Sequence, residues 1–367
     1  MIEFFDLTRS HHLLRSRFHE VLDAVLDSSE YVLGSNVVNF ESQFANYCKT
    51  QFAVATNSGT SALHLALEAC GVSAGDEVIT TPMTFIATAS SISYLGAIPV
   101  FVDVDPRTWT IDVKKIEAAI TPRTKVILPV HLHGVMANMP AVMEIAKKYK
   151  LSVVEDAAQA HGASINGLHP GQFGDIACFS FYPGKNLGAL GEAGAIVTNN
   201  VLLAERVRLM RNWGASIKYE HSVVAYNYRM DGIQGGFLSV KLPYMSAWNK
   251  ERAEIANKYS AAFTKAGIQC PHVPSGFEHV FHVYAIVSKD KRNLATRFSQ
   301  QKIGFGAHYP IPVHLQEAYS NLGYKSGSFP VSEHLAQGFF SLPIYPGLSD
   351  EEVRLVIQAV LDSERSR

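Results

Sequence analysis

Short apolar runs and amphipathic stretches alternate along the chain from about residue 52 to residue 200. The apolar runs read FAVAT, EVITT, IPVFVDV, KVILPVH and LSVVEDA, and the stretches with apolar positions at helical spacing read SALHLALEACG, TFIATASSISYLG, VKKIEAAI and MPAVMEIAKKYK. This alternation is typical of a mostly parallel sheet covered by helices on both faces. We therefore expect a doubly wound α/β domain, with Ser58 and Thr60 placed to cap the first helix and Gly71 placed to end it.

The pattern changes after this region. A long helix is predicted from about Gln234 to Lys265, with a break near Pro243, and HVFHVYAIV and loops rich in proline and histidine follow it. We expect residues 1–244 to form a large domain that includes an N-terminal helical segment. Residues 245–367 are expected to form a smaller C-terminal α+β domain.

The composition narrows the classes of function. Hydrophobic residues make up 47% of the 367 positions, so the chain can bury a large core. Lys and Arg total 32 and Asp and Glu total 33, a formal net charge of −1, so no overall field favours a nucleic acid or an anionic membrane as a partner. Small-molecule chemistry is favoured by elimination.

Cysteines and apolar runs indicate the compartment. The four cysteines are scattered, with no CxxC pair and no histidine at ligand spacing, so we expect neither a disulfide framework nor a metal site. No apolar run approaches the ~18 residues of a membrane span, and the N-terminus lacks the apolar region of a signal peptide. The sequence therefore predicts a cytoplasmic protein.

Candidate chemistry begins at TNSGTSAL, after the first apolar run. In doubly wound sheets the ligand lies at the carboxyl ends of the strands. Gly59, Thr60 and Ser61 stand at a predicted helix N-terminus, where free N–H groups and the helix dipole favour a phosphate. The stretch is neither a Walker sequence nor GxGxxG, which excludes the usual nucleotide loops. An ordinary helix cap is the alternative.

Two charged residues follow later strands. Asp156 ends LSVVED, where a buried carboxylate is costly unless a cation meets it, although it could also cap the next segment. Lys185 lies in SFYPGKNLGALG between apolar neighbours, and a desolvated lysine is a nucleophile toward carbonyls, whereas isolated lysines are usually solvated. A phosphate cradle, a strand-end acid and a desolvated lysine match the phosphate, ring nitrogen and aldehyde of pyridoxal 5′-phosphate.

At this point the chain resembles a known family along nearly its whole length. It is similar to the DegT/DnrJ family of nucleotide-sugar aminotransferases, in the stretches YVLGSNVVNFESQFANYC, NSGTSALHLALEACGVSAGDEVITTPMTFIATASSI, PVFVDVDPRTWTID, VEDAAQAHGA, GDIACFSFYPGKNLGALGEAGAIVTNN, YNYRMDGIQGGFL and HYPIPVHLQEAY. The resemblance implies fold type I of the pyridoxal-phosphate-dependent transferases and a homodimer with active sites shared between subunits. Some members have histidine in place of the lysine and act as dehydratases, so Lys185 favours transamination.

The resemblance also implies a role for each matching residue. Lys185 would be the Schiff-base lysine and proton shuttle, and Asp156 the partner of the pyridine nitrogen. The other expected cofactor contacts are Gln159 at the phenolic oxygen, Phe85 stacked on the ring, Gly59, Thr60 and Ser180 at the phosphate, and Asn227 reaching the phosphate from the partner subunit. Phe85 as a core aromatic and Ser180 as a partner of a local backbone group remain alternatives.

The substrate prediction rests on FYPGKNLGALGEAGA, which looks most like members that aminate C3 of a 3-keto-6-deoxyhexose linked to a nucleoside diphosphate, with L-glutamate as amino donor. Amination at C4 or of a ketocyclitol, and a non-catalytic regulator that binds the cofactor, are the alternatives. The candidate substrate contacts are Tyr182, Arg229, His308 and Tyr309. The alternative for His308 is a loop residue that satisfies backbone carbonyls, and the alternatives for Arg229 are pairing with the carboxylate of the amino donor or with an acid of the fold. One departure from the family is VHLHG in place of VHLYG, which puts His133 where a tyrosine is usual, near the expected rim of the site.

Overall fold

The alternating elements predicted from the sequence are present in the computed structural model, which describes residues 1–365. The strands are β1 Phe52–Thr56, β2 Glu77–Thr80, β3 Ile98–Phe101, β4 Thr124–Ile127, β5 Ser152–Asp156, β6 Ser164–Ile165, β7 Ile176–Ser180, β8 Gly194–Thr198, β9 Ala215–Ile217, β10 Glu220–His221, β11 Phe277–Glu278, β12 Tyr284–Val287 and β13 Phe339–Leu342. The α-helices are α1 Thr8–His12, α2 Arg15–Ser28, α3 Gly34–Tyr47, α4 Gly59–Ala69, α5 Ile86–Ser93, α6 Val113–Ile116, α7 Met139–Tyr149, α8 Val201–Arg211, α9 Gly232–Lys241, α10 Met245–Lys265, α11 Lys291–Gln300, α12 Pro330–Gly338 and α13 Asp350–Arg365. Short 3₁₀ turns cover Glu117–Ala119, Leu132–Gly134, Leu242–Tyr244, Val313–Leu315 and Glu317–Leu322.

Seven strands form one sheet in the order β1-β8-β7-β5-β4-β2-β3. The pairs from β7 to β3 are parallel, and β8 runs antiparallel to both of its neighbours. The prediction of a mostly parallel α/β sheet is therefore confirmed. Because β8 is inverted, its first residue lies at the same edge as the last residues of β1 and β7.

Both faces of the sheet are apolar, as expected for strands covered on two sides. Along β7, Ala177 and Phe179 point into one buried cluster, where Phe179 meets Phe44 of α3 edge-to-face with ring centroids 5.0 Å apart. Cys178 lies in the opposite cluster, which contains the apolar residues of α4. The strand is thus fixed from both sides, which leaves its carboxyl end as the place where a ligand can enter.

A buried ion pair ties two helices to β1. Glu41 of α3 and Arg211 of α8 are each 8% exposed, and the Arg211 guanidinium donates to the Glu41 carboxylate and to the Ala55 carbonyl, the latter at 2.6 Å. The Ala55 N–H donates to the same Glu41 oxygen at 2.8 Å. Removing one partner would leave the other charge buried without compensation.

We therefore expect Arg211→Ala to lower the free energy of unfolding by about 3–5 kcal/mol. The measurement is urea denaturation at one fixed protein concentration. Lys148→Ala is the control, because Lys148 pairs with Glu117 on the exposed surface and its loss should leave the midpoint unchanged. A change below about 1 kcal/mol for Arg211→Ala would show that the pair contributes no more than a surface contact.

The predicted long helix is present and breaks where proline was expected to break it. Helix α9 ends at Lys241, a 3₁₀ turn spans Leu242–Tyr244 around Pro243, and α10 continues to Lys265. Helix α10 packs with β12, β13, α11 and α13 around a separate apolar cluster. Ile2 joins this cluster and pairs with Ile303, so the N-terminal residues lie against the C-terminal part of the chain. The domain division at residue 244 stays a prediction.

Candidate active site

A cavity of about 500 Å³ opens at the carboxyl edge of the sheet. That volume lies within the usual range for small-ligand sites. Ten of the thirteen predicted site residues line it: Gly59, Thr60, Phe85, Asp156, Gln159, Ser180, Tyr182, Lys185, His308 and Tyr309. The expectation that a ligand lies at the carboxyl ends of the strands, together with the family resemblance, therefore identified residues that the fold brings together.

One end of the cavity is the start of α4. Ser58 is the N-cap and its side chain accepts from the Ser61 N–H at 3.1 Å, whereas Thr60 is already inside the helix, so the prediction that Thr60 caps the helix is wrong. A Cβ on Gly59 would lie 2.6 Å from the Cβ of Ser180, so only glycine lets the helix approach β7 this closely. The first N–H groups of a helix lack acceptors within it, and here they face a cavity with the Thr60 and Ser180 hydroxyls.

Ser180 has a local partner as well. Its hydroxyl oxygen accepts from the Tyr182 N–H at 3.3 Å, which is the local contact considered from the sequence. Accepting one hydrogen bond leaves the hydroxyl proton free to donate. Both interpretations of Ser180 are therefore compatible with the structure.

Asp156 forms a second wall of the cavity at the end of β5. It is 5% exposed, its Oδ2 accepts from the Thr88 hydroxyl at 2.7 Å, and its Oδ1 accepts from the Ala158 N–H at 3.2 Å. Burial raises the pKa of the Asp156 carboxyl, and these two donors oppose the rise. A cationic group placed opposite Asp156 would stabilise its anionic form further.

Lys185 lies in the turn after β7, where its N–H donates to the Tyr182 carbonyl at 2.8 Å. Its side chain is half-buried and lines the cavity, and its amine has no hydrogen bond to any residue in 1–365. Burial lowers the pKa of Lys185 from 10.5 to about 8, against a smaller opposing effect of Asp156. A larger share of this amine is therefore neutral, and nucleophilic, than in an ordinary lysine.

This shift predicts a pH dependence. Only the neutral amine reacts with an electrophile, so modification of Lys185 in the cofactor-free protein should rise with a midpoint near pH 8 and be lost as the pH falls below it. In the denatured chain the midpoint should return toward 10.5. Peptide mass spectrometry after brief exposure to an amine-reactive reagent measures both. Equal midpoints in the folded and denatured chain would contradict the effect of burial.

The remaining wall of the cavity is formed by residues before and after position 244. Phe85, the residue before α5, is 54% exposed, and its ring lies 5.7 Å from that of Tyr309. Gln159 donates through Nε2 to the Tyr309 hydroxyl at 3.0 Å. His308 shares a hydrogen bond of 2.9 Å with the Ser341 hydroxyl, and burial lowers the pKa of His308 to about 4, so it faces the cavity as a neutral ring. Tyr182 is 55% exposed at the mouth.

Among residues 1–365, three predicted site residues do not line this cavity: Ser61, Asn227 and Arg229. The Ser61 hydroxyl donates to Asn57 Oδ1 at 2.6 Å and is thus turned away from the wall. Asn227 Oδ1 accepts from Arg229 Nε at 3.0 Å, and Arg229 also donates to Asn212. Arg229 therefore binds two neutral side chains, and the alternative in which it pairs with an acid of the fold is wrong for the described chain.

His133 is buried, which corrects the expectation that it lies at the rim. It is 1% exposed, has a backbone φ of 60° and does not line the cavity, because its ring packs against Trp109 and Phe339. The lining residues that were not predicted include Phe5, Thr88, His131 and His282. His131 follows an apolar run, so the expectation of a ligand at the carboxyl ends of the strands could have identified it. No pattern in the neighbouring sequence marks Phe5, Thr88 or His282 as site residues.

The residues fit pyridoxal 5′-phosphate. A helix N-terminus with two hydroxyls can hold the phosphate, Asp156 can face the cationic ring nitrogen, and the Lys185 amine is unengaged within residues 1–365. A cationic ring nitrogen opposite Asp156 would also offset the cost of burying that carboxylate.

Comparisons with known proteins agree with this fit. A family model described as the DegT/DnrJ/EryC1/StrS aminotransferase family matches residues 13–361. The chain is 42% identical to the "Pleiotropic regulatory protein" of Geobacillus stearothermophilus, over 99% of each chain. It is 43% identical to the dTDP-3-amino-3,6-dideoxy-alpha-D-galactopyranose transaminase of Aneurinibacillus thermoaerophilus, over 98% of this chain and 99% of the other.

A solved structure also resembles this chain along its whole length. The crystal structure of S. venezuelae DesV in complex with a ketimine intermediate superposes with a TM-score of 0.97 at 40% identity, covering 100% of this chain and 99% of the other. Fold, cavity and sequence thus agree along the whole chain. Within residues 1–365 no helix is long and apolar enough to cross a bilayer. The chain belongs to the DegT/DnrJ/EryC1/StrS aminotransferase family and is a pyridoxal-phosphate-dependent transaminase.

Proposed function

We propose that the chain moves an amino group from L-glutamate to C3 of a 3-keto-6-deoxyhexose linked to a nucleoside diphosphate, in the cytoplasm. The observation that carries the transamination is the unengaged, partly neutral amine of Lys185 in one cavity with Asp156 and the start of α4. The relative from Aneurinibacillus thermoaerophilus is named for an amino group at C3 of a dideoxyhexose, which supports the position of attack.

The bound cofactor supplies a cationic ring that stabilises negative charge at the reacting carbon. Asp156 keeps that positive charge in place as the anion opposite the ring nitrogen. Lys185, as a neutral amine, takes a proton from the reacting carbon of the amino donor and returns one to the corresponding carbon of the sugar. Gly59, Thr60 and Ser180 would hold the phosphate, Phe85 would cover the ring and Gln159 would meet the phenolic oxygen.

Substrate contacts come from the mouth of the cavity. Tyr182, His308 and Tyr309 offer hydroxyl and imidazole groups to the hydroxyls of a hexose. Because His308 is neutral, it contributes hydrogen bonding without a positive charge.

The kinetics with a keto sugar and the position of nitrogen in the product distinguish this proposal from amination at C4 or of a ketocyclitol. One lysine serves both substrates, so donor and acceptor take turns, and initial rates at varied glutamate and keto sugar should give parallel double-reciprocal lines. NMR of the product should place nitrogen on C3. Intersecting lines would contradict the two-step scheme, and nitrogen on C4 would contradict the position.

A cofactor-binding regulator is the second candidate, because the relative from Geobacillus stearothermophilus bears a regulatory name. Lys185 speaks for turnover, since a site that only binds the cofactor needs no proton shuttle. Regulation without catalysis would show as an unchanged biological effect of the Lys185→Ala protein.

We also propose a homodimer in which Asn227 and Arg229 of the partner subunit complete the phosphate and donor sites. Both residues lie outside the cavity of their own chain, and the preceding segment 215–224 exposes Ile217, Tyr219 and Val224 at 60%, 81% and 99%. Apolar side chains exposed together are typical of an interface. A solution mass near 40.3 kDa, that of one chain, would contradict the dimer.

A further inference from the structure

His133 occupies a buried position between the two parts of the chain. It lies in the 3₁₀ turn Leu132–Gly134, after β4. Its ring packs edge-to-face between Trp109 and Phe339, with centroids 5.9 and 5.3 Å away. Although 1% exposed and outside the cavity wall, it directly contacts residues that form that wall.

Two hydrogen bonds leave His133 in different directions. Its backbone N–H donates to Gln159 Oε1 at 2.6 Å, and its Nε2 lies 2.9 Å from the backbone carbonyl of His308. A carbonyl only accepts, so Nε2 carries the proton. Burial lowers the pKa of His133 to about 3, so the ring is neutral and this tautomer is the one present at neutral pH.

The contacts continue to the cavity. Gln159, oriented by His133, donates through Nε2 to the Tyr309 hydroxyl at 3.0 Å. That hydroxyl therefore accepts from the protein and keeps its own proton for an acceptor in the cavity. Gln159 bonds the backbone of His133, the His308 carbonyl bonds its ring, and Tyr309 is linked to it through Gln159.

The segment 306–311 has two kinds of attachment. Gly306 and Ser341 exchange backbone hydrogen bonds at 3.1 and 2.8 Å, which hold the segment to β13. The His133 ring instead links the His308 carbonyl to the turn after β4, on the large sheet. Together with the Gln159–Tyr309 hydrogen bond, this bond holds the segment against the sheet beside the cavity that contains Asp156 and Lys185.

We propose that His133 is a positioning residue: it fixes the segment 306–311 against the large sheet and thereby sets where His308 and Tyr309 meet the sugar. The contact of His308 and Tyr309 with the sugar rests on the proposed function, whereas the attachment of the segment 306–311 to the sheet does not. The expected consequence of losing the bond is a looser segment and a weaker apparent affinity for the keto sugar, with little change in the chemical step.

His133→Asn and His133→Gln form a matched pair for the test. Both keep the backbone N–H and lose the aromatic ring, and asparagine tolerates a positive φ well. The glutamine amide reaches about as far from Cβ as the Nε2 of histidine, whereas the asparagine amide is one methylene too short for the His308 carbonyl.

The first readout is hydrogen exchange of the segment 306–311 in the cofactor-loaded enzyme. We expect exchange about 3- to 10-fold faster in His133→Asn than in the wild type, the effect of one hydrogen bond, with glutamine restoring most of the protection. The second is steady-state kinetics, with a KM for the keto sugar raised about 3- to 10-fold in His133→Asn and kcat changed less than about 2-fold.

Equal exchange in the asparagine and glutamine variants would overturn the proposal. If keto sugars are not substrates, the wild type will show no turnover while the exchange difference persists, so failure of the proposed function is distinguishable. Should His133→Asn fail to fold, His133→Phe takes its place, because it keeps an aromatic ring and lacks the donor. Exchange in that variant equal to the wild type would contradict the attachment.

Discussion

Lys185→Ala is expected to lower the rate of amino transfer by at least about 10⁴-fold, the upper end of what one general acid–base group contributes. The variant loses the amine that bonds the cofactor aldehyde as well as the group that moves the proton at the reacting carbon. The remaining contacts at the start of α4 and at Asp156 should still bind the cofactor. The measurement is the absorbance change after mixing the cofactor-loaded variant with L-glutamate.

Lys241→Met is the matched control for this experiment. Lys241 is 3% exposed and burial lowers its pKa to about 8, as for Lys185, but it donates to the Gly188 carbonyl and does not line the cavity. Its loss should slow the reaction less than about 10-fold, the effect of one hydrogen bond. Similar losses in the two variants would mean that a buried amine in general, and not Lys185 in the cavity, is required.

Asp156→Asn is expected to slow the same half-reaction by about 10²- to 10³-fold, the usual effect of removing one preorganised electrostatic contact. Asparagine has nearly the same shape, but its single carbonyl oxygen can accept from only one of Thr88 and Ala158, so the change removes the charge and one of these two hydrogen bonds with little change in packing. Without the anion, the ring nitrogen of the cofactor loses its proton more readily and withdraws electrons less strongly.

Thr88→Val serves as the comparison for Asp156. It removes the 2.7 Å hydrogen bond to the carboxylate and leaves the charge, so its effect should stay near 10-fold or less. The order of rates should therefore be wild type, Thr88→Val, Asp156→Asn. An Asp156→Asn rate equal to the wild type would show that Asp156 does not face the ring nitrogen.

The sheet and the centre of the site were predictable because their signals are local. Apolar runs of strand length fixed which residues end each strand, and parallel strands bring their carboxyl ends to one edge. Asp156 is such an end residue and Gly59 begins the helix after β1, whereas Ser180, which also ends a strand, was predicted from the resemblance. The order of strand ends and helix starts along the chain therefore predicted which residues would line the cavity.

Contributions from distant parts of the chain were not predictable. Phe5 reaches the cavity because Ile2 pairs with Ile303, a contact that no local pattern indicates. The inward turn of His133 depends on a left-handed backbone that histidine adopts only occasionally. Ser61 has a residue type and position suited to binding a phosphate, but its hydroxyl donates to Asn57 Oδ1 instead.

The resemblance supplied what physical reasoning from the residues did not, namely the sugar and the partner subunit. Asn227 and Arg229 lie outside the cavity of their own chain, so their predicted roles depend on a second subunit. The pattern of strands and helices carries no information about assembly, since an interface residue resembles any exposed residue until the surface is known.

The absorption spectrum of the purified protein with pyridoxal phosphate, before and after L-glutamate, tests the central claim most directly. We predict a band from the lysine-bound cofactor that glutamate replaces with the band of pyridoxamine phosphate, and no such band in Lys185→Ala. A bound-cofactor band that no amino donor changes would contradict transamination, and a lysine-bound band that persists in Lys185→Ala would contradict the assignment of Lys185.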